Sequence, residues 1–173
     1  MITCYVYPHT HFDALMKANK WNDCDIPSTC AFISICCLPE IKHNYLENVK
    51  HETDEHWFSE NHNNVLNIEF DDITCPSKET EYGLAQGITK DNAKTIIDFI
   101  EQNKSQSTWY IHCRSGKRRS VAVGLFIEKY LFEKYGILVK VIGYAHGLLH
   151  FNTFVFDTLC KTAGLKNSTV LGE

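Results

Sequence analysis

A buried helix that directly follows a short strand is the feature that most restricts how this chain can fold. Residues 120–135 have a helical pattern with apolar side chains on nearly every side. A helix that is apolar all round must be covered on all sides, so we expect it at the centre of the molecule. The strand over 109–111 leads into it through a tight loop that contains Gly116. This arrangement predicts an α/β fold.

The rest of the chain alternates between predicted strands and helices. Apolar runs predict four further strands, at residues 3–7, 30–37, 65–70 and 138–142. Helical periodicity predicts three further helices, one carrying Phe12, Leu15 and Met16, one over 89–103 and one over 151–163. In the second of these helices, Thr89 is the expected N-cap and the buried face is Ala93, Ile96, Ile97 and Ile100. The order predicts a central, mostly parallel sheet flanked by helices.

Two stretches interrupt this alternation. Residues 39–64 are polar and rich in His and Asn, and we expect a surface loop or insertion there. Residues 74–87 are rich in turn-forming residues. A chain of 173 residues, 44% of them hydrophobic, suits one domain that buries roughly 70% of its unfolded surface. We therefore expect residues 1–173 to form a single domain that contains the whole functional site.

All three arginines of the chain, Arg114, Arg118 and Arg119, lie within nine residues together with Cys113. Arginine presents a planar, permanently charged fork that fits a phosphate or a carboxylate. The loop stands where a strand ends and a helix begins, so backbone N–H groups and the positive end of the helix dipole point to its centre. The pattern predicts an oxyanion site.

The positive potential of these N–H groups and of the helix dipole also stabilises a thiolate at Cys113. This makes the cysteine a nucleophile at neutral pH. Gly116 permits the bend of the loop, and Ser120 is in position to donate its hydroxyl to the cysteine sulfur. Arg119 is expected to curl back and hold two phosphate oxygens at once. The net charge of -4, without a basic stripe outside this loop, argues against general nucleic-acid binding.

The segment 112–120, His-Cys-Arg-Ser-Gly-Lys-Arg-Arg-Ser, resembles the signature loop of the cysteine-dependent phosphatases, the tyrosine and dual-specificity class. Their pattern is His-Cys-x-x-Gly-x-x-Arg-Ser, and every fixed position agrees. A chance match in a chain of this composition is on the order of one in ten thousand or less. The order of elements extends the resemblance across most of the chain, closest to small dual-specificity-like phosphatases, including bacterial and viral ones.

The resemblance implies a role for each position of the loop. Cys113 would attack phosphorus and carry a phosphocysteine, and Arg119 would stabilise the phosphoryl group in the transition state. His112 would orient the loop and tune the thiolate, while Ser120 would assist breakdown of the intermediate. The remaining loop positions would bind the substrate phosphate, namely Arg114, Ser115, Gly116, Lys117 and Arg118.

The family also uses an aspartate upstream of the cysteine as general acid and base, which contributes about 10²- to 10⁴-fold to the rate. Asp72, after the strand at 65–70, is the residue we favour for this role, with Asp71 and Asp91 as alternatives. Asp72 lies 41 residues before Cys113, further than the family's usual spacing. Asp91 fits better as a first-turn charge on the helix after Thr89. Absence of a Trp-Pro-Asp triplet favours the dual-specificity branch.

Three functions stay open at this point. The first is hydrolysis of phosphotyrosine, phosphoserine or phosphothreonine in proteins. The second keeps the chemistry but changes the substrate, because the basic residues Arg114, Lys117 and Arg118 resemble the phosphoinositide-directed branch and fit inositol phosphates, phosphoinositides or an RNA 5′ phosphate. The third is a catalytically weak phosphate-recognition module. A sulfurtransferase with a similar cysteine loop is a minor further option.

The eight cysteines have irregular spacing and contain no Cys-x-x-Cys pair, so we expect reduced thiols. His146 and His150 are four residues apart like half of a helical zinc pair, but no third ligand has suitable spacing. We therefore predict no metal and no cofactor. Cys75, close to Asp72 in sequence, is a candidate to trap an oxidised Cys113 as a disulfide.

The N-terminal residues lack a basic region followed by an apolar core, and no apolar run approaches the ~20 residues that a membrane-spanning helix needs. The sequence thus predicts a cytoplasmic protein without a membrane span. Its expected partner is a phosphorylated protein or another phosphomonoester, and the sequence does not predict an oligomeric state.

Overall fold

The computed structural model describes residues 1–39, 41, 54–143 and 150–166. Within these ranges the elements, in chain order, are β1 (Ile2–Pro8), α1 (His9–Ala18), β2 (Cys30–Cys36), β3 (Val65–Glu69), β4 (Ser77–Thr80), β5 (Gly83–Gln86), α2 (Lys90–Asn103), β6 (Thr108–Cys113), α3 (Arg119–Tyr135), β7 (Val139–Gly143) and α4 (Thr153–Ala163). The protein is an α/β domain, as the sequence predicts.

Five strands form one parallel sheet in the order β3-β2-β6-β1-β7. β2 is buried along its whole length, which is typical of a parallel strand covered by other elements on both faces. Because all five strands run in the same direction, their carboxyl ends meet at one edge of the sheet. Ligand sites of parallel α/β proteins lie at this edge.

Helices cover both faces of the sheet. α3 packs against β1, β6 and β7 on one face and is buried over most of its length, so the prediction of a central helix is confirmed. α4 packs between α2 and α3. On the other face α1 buries Phe12 and Met16 in a separate cluster with Phe32, Phe58 and Val65. The domain is thus a sheet between a layer of three helices and a layer containing α1.

Helix α2 begins where the sequence predicts. Thr89 is its N-cap, and its hydroxyl accepts from the Asn92 backbone N–H while the Asn92 side chain accepts from that of Thr89. Asp91 lies in the first turn and is exposed. The predicted face is correct except at Ile97, which is only partly buried, because Phe99 packs against the core instead.

Two predicted loops differ from the structure. The turn-rich stretch 74–87 contains an antiparallel hairpin of β4 and β5, whose polar residues give no apolar alternation. Of the predicted surface loop at 39–64, residues 40 and 42–53 lie outside the described residues. The described end is a loop as predicted, but it does not lie wholly on the surface, because Phe58 is buried against Phe12 and Phe32 with ring centroids 6.1 and 5.5 Å away.

Three further predictions concern the whole chain. None of the helices within the described ranges is long and apolar enough to cross a membrane. No disulfide joins the eight cysteines, all of which lie within the described ranges. His146 lies outside the described residues, while His150 is described and exposed.

Candidate active site

The loop between β6 and α3 lies at the carboxyl edge of the sheet. Cys113 is the last residue of β6 and Arg119 is the first residue of α3, so five residues make the connection. Pro8 at the end of β1 is in register with Cys113, and the backbone N–H of His9 donates to the Arg114 carbonyl at 3.2 Å. The neighbouring strand therefore anchors the loop.

Gly116 is required by this close approach. Its φ is +66°, a conformation that favours glycine. A Cβ at this position would lie 2.3 Å from the Pro8 nitrogen and 2.5 Å from the Tyr7 carbonyl carbon, which are backbone atoms that cannot rotate away. The predicted bend at Gly116 is confirmed, and its physical basis is contact with β1.

Cys113 lies beneath the loop with 1% of its surface exposed. Its Sγ is 3.0 Å from the Ser120 hydroxyl, the contact that the sequence predicts. Helix α3 begins without a side-chain cap, whereas Thr89 caps α2 and Asn152 caps α4. The first backbone N–H groups of α3 are thus not used by a capping side chain, and such groups bind anions.

Arg119 directs its guanidinium toward the carboxyl ends of β2 and β3. Its Nη1 donates to the Phe70 carbonyl at 2.9 Å and approaches Cys37 Sγ at 3.4 Å, while its Nη2 lies 3.4 Å from an Asp54 carboxylate oxygen. Its Nε is also buried, and no described residue accepts from it. A buried unpaired donor costs about 1–3 kcal/mol, so this N–H favours an acceptor brought by a ligand.

The charges around Arg119 keep it ionised. Burial alone would lower the pKa of this guanidinium, but nearby groups raise it above its ordinary value, in the order Cys37, Asp54, Cys113 and Asp72. Burial in turn raises the pKa of Cys37. The site therefore holds a permanent buried cation that Asp54 only partly neutralises.

Asp72 contacts the loop by an ion pair with Arg118. The Arg118 Nε lies 3.1 Å from both carboxylate oxygens of Asp72, and the Asn152 side-chain amide donates to one of them at 2.7 Å. Asn152 also accepts from the Val155 backbone N–H and so begins α4. The structure thus brings Asp72 to the loop, where its role as general acid stays a prediction. Arg118 faces this carboxylate.

Asp71, the first alternative to Asp72 as general acid, holds two segments of the backbone together. Its two carboxylate oxygens accept from the backbone N–H groups of Leu38 at 3.1 Å and Gln86 at 2.7 Å, and its side chain is buried. Both oxygens are therefore engaged in joining β5 to the chain that follows β2. Asp91 lies on α2 as a first-turn charge, which is the position the sequence favours for it.

His112 is completely buried and packs against the rings of Phe12 and His9, with centroids 4.4 and 5.1 Å away. Neither ring nitrogen has a hydrogen-bond partner among the described residues. Burial chiefly, and then the charges of His9, His56 and Arg119, hold the pKa of His112 well below its usual range. The ring is therefore neutral and contacts its surroundings by packing, and its predicted orienting role stays a prediction.

The other predicted residues lie around the loop. Arg114 and Ser115 are partly exposed and Lys117 is exposed. Cys75 lies in the turn before β4, where its thiol contacts the Ser77 carbonyl at 3.4 Å. The thiol that contacts the Arg119 guanidinium is that of Cys37, and the disulfide between Cys75 and Cys113 stays a prediction.

Sequence reasoning missed three residues of this site. Cys37 is the last residue of a predicted strand, so the rule that sites lie at carboxyl ends could have identified it. Asn152 could have been recognised as the N-cap of the last helix. Asp54 has no local signal, because it belongs to a polar stretch without periodicity.

Comparisons of the chain with models of protein families, with curated proteins and with solved structures return no match.

Proposed function

We propose that the protein is a metal-independent phosphatase that hydrolyses phosphomonoesters through a phosphocysteine intermediate. The observation that carries the proposal is that Cys113 and the Arg119 guanidinium are buried at the same loop, with the Arg119 Nε lacking a partner among the described residues. A nucleophile beside a fixed cation and an uncapped helix start is suited to a phosphoryl group.

In the first step the Cys113 thiolate attacks phosphorus. The S–P bond forms while the bond from phosphorus to the leaving oxygen breaks, and Asp72 in its protonated form gives that oxygen a proton. Arg119 and the first N–H groups of α3 hold the equatorial oxygens, where negative charge is concentrated in the transition state.

In the second step water attacks the phosphocysteine. Asp72, now ionised, takes a proton from the water while the S–P bond breaks and inorganic phosphate is released. The Ser120 hydroxyl, 3.0 Å from Cys113 Sγ, donates to the departing thiolate and thereby assists the breakdown. The two steps together consume one water and regenerate the Cys113 thiolate and the protonated Asp72.

The substrates that we propose are proteins phosphorylated on tyrosine, serine or threonine, hydrolysed by an enzyme of the dual-specificity type. The positive charges of Arg114 and Lys117 at the rim would draw a phosphorylated chain toward the loop. We also propose a cytoplasmic location, because a catalytic thiolate has to remain reduced.

A phosphate-recognition module is the second candidate, and a specific contact favours it. Asp72 is engaged by both Arg118 and Asn152. If this pairing persists with substrate bound, the loop binds a phosphate while the leaving oxygen receives no proton, so turnover is slow.

The test compares hydrolysis of para-nitrophenyl phosphate and of a phosphotyrosine peptide, in reductant and with a metal chelator. We expect wild-type activity that survives chelation and is lost in Cys113→Ser. With the peptide, kcat of Asp72→Asn should fall by about 10²- to 10⁴-fold, and much less with para-nitrophenyl phosphate, whose leaving group needs little protonation. Asp91→Asn is the matched control and should retain wild-type activity.

Two results would decide against the enzyme. A wild type that is inactive on both compounds but binds inorganic phosphate is the recognition module. Activity that survives in Cys113→Ser would contradict a phosphocysteine intermediate.

A further inference from the structure

Three side chains with metal-binding groups meet at the ends of β2 and β3. Cys36 and Glu69 are partners in the register of these neighbouring strands, so their side chains leave the sheet on the same face. His56 reaches them from the chain before β3. The Cys36 Sγ lies 3.2 Å from His56 Nε2 and 3.9 Å from a Glu69 carboxylate oxygen, and the latter two atoms are 3.3 Å apart.

These distances suit one small cation. A tetrahedral zinc ion with bonds of about 2.0–2.3 Å separates its ligand atoms by roughly 3.3–3.6 Å. The three donor atoms already lie 3.2–3.9 Å apart, so small side-chain rotations bring them to bonding positions. Thiolate and imidazole ligands favour zinc or cobalt over calcium and magnesium, which prefer oxygen.

The imidazole of His56 is held in the orientation that such a site requires. Its Nδ1 lies 3.1 Å from the Ser34 carbonyl oxygen, which can only accept a hydrogen bond, so Nδ1 is the donor and Nε2 is the ring nitrogen that faces Cys36 and Glu69. The Ser34 hydroxyl accepts from the Trp57 backbone N–H at 3.1 Å and fixes the chain beside the ring. A ring nitrogen that donates to a backbone carbonyl is the usual support of a metal-bound histidine.

The cluster is open on one side. Cys36 is buried, while the side chains of His56 and Glu69 are 21% and 39% exposed. A cation can therefore enter from solvent and keep a water molecule as its fourth ligand, as three-ligand zinc sites do.

We infer that Cys36, His56 and Glu69 form a binding site for a divalent cation of the zinc class. The bound ion would link His56 to Cys36 of β2 and to Glu69 of β3. Asp54, two residues earlier, contacts both the Cys37 backbone N–H and the Arg119 guanidinium, so the ion steadies the segment that pairs with Arg119. The ion does not touch Cys113, and the inference does not depend on the proposed phosphatase activity.

Cobalt and zinc binding to chelator-treated protein test the site. The measurements use the Cys113→Ser variant as the background, because the thiol of the loop could itself bind the metal. A phosphine reductant is used because thiol reductants would compete for the metal. We expect one equivalent of Co²⁺ to produce the visible bands of tetrahedral cobalt and a near-ultraviolet thiolate-to-cobalt band, both abolished by Zn²⁺. At about hundredfold excess over its dissociation constant, Zn²⁺ should raise Tm by about 5 °C or more.

Three variants in the same background locate the site. His56→Gln and Glu69→Gln should weaken cobalt binding about tenfold or more, and Glu69 is exposed enough for its variant to keep the fold. His62→Gln, a histidine that contacts Asp23, is the matched control and should bind as the background does. A folded background protein without the thiolate-to-cobalt band would overturn the inference, and so would unchanged binding in both His56→Gln and Glu69→Gln.

Discussion

Gly116 and Gly136 have the same φ of +66° but different surroundings. A Cβ at Gly116 would overlap the backbone of Tyr7 and Pro8, whereas nothing lies within 4 Å of a Cβ at Gly136. Substituting alanine at Gly136 therefore measures the loss of stability from a left-handed backbone alone, whereas the same change at Gly116 adds the loss from a steric overlap.

We predict that Gly136→Ala lowers the free energy of unfolding by about 1–2 kcal/mol, the cost of placing an L-residue in this conformation. Gly116→Ala should cost about 1–3 kcal/mol more, because the loop must also move away from β1. Urea unfolding of both variants measures the difference. Equal losses would mean that the contact between the loop and β1 is not tight.

Among single residues, the sequence predicts those whose role depends on neighbours a few positions away in the chain. Cys113, Ser120 and Gly116 lie within a few residues of each other, so their spacing places them at one loop. The partners of Arg119 and Asp72 are different, because Asp54 is 65 residues from Arg119, Cys37 is 82 residues from it, and Asn152 is 80 residues from Asp72. Only the folded sheet brings such pairs together.

At the scale of elements, Glu101 joins α2 to α3. Its carboxylate accepts from Lys104 near the end of α2 and from three side chains of α3, namely Tyr130, Lys134 and Tyr135. Burial alone would raise the pKa of Glu101, but hydrogen bonds from these four side chains hold it well below its usual range.

The folded protein keeps Glu101 ionised at pH values where the unfolded chain has bound a proton. Its contribution to stability is therefore complete above about pH 4.5 and is lost as the pH falls further. We predict that Glu101→Gln lowers the free energy of unfolding by roughly 1–2 kcal/mol at neutral pH. The difference from wild type should shrink below about pH 4.5.

Urea unfolding across this pH range provides the test. The exposed Glu60→Gln is the control and should leave stability at neutral pH unchanged. A difference between Glu101→Gln and wild type that stays constant with pH would contradict the role of the carboxylate charge.

Elements were predictable where an apolar pattern defines them. The N-cap at Thr89 and the nearly continuous apolar surface of α3 are both carried by nearby residues of the sequence, and both are predicted correctly. The hairpin of β4 and β5 was not, because its exposed polar strands pair with each other and need no apolar face.

At the scale of the whole molecule, the candidate site exists only when distant segments have assembled. Arg119 contacts Cys37, Asp54 and Phe70, which come from three separate parts of the chain. A ligand that binds this assembly but not the unfolded chain must stabilise the fold.

We predict that inorganic phosphate, at about tenfold excess over its dissociation constant, raises Tm by about 3 °C or more. In Arg119→Lys the rise should be smaller, because lysine has no N–H group at the position of the unpaired Arg119 Nε. Thermal unfolding in phosphate is compared with unfolding in chloride at equal ionic strength. An equal rise in chloride, or in Arg119→Lys, would show that phosphate does not bind at Arg119.

The position of β1 in the sheet has a consequence for the order in which the chain folds. β1 is synthesised before both of the strands it pairs with, β6 and β7, which begin at Thr108 and Val139. Residues 9–107 separate the end of β1 from the start of β6, so β1 cannot pair with β6 until this stretch has been synthesised. Closing so long a loop is slow, so the apolar strand β1 stays exposed in the nascent chain until this late pairing buries it.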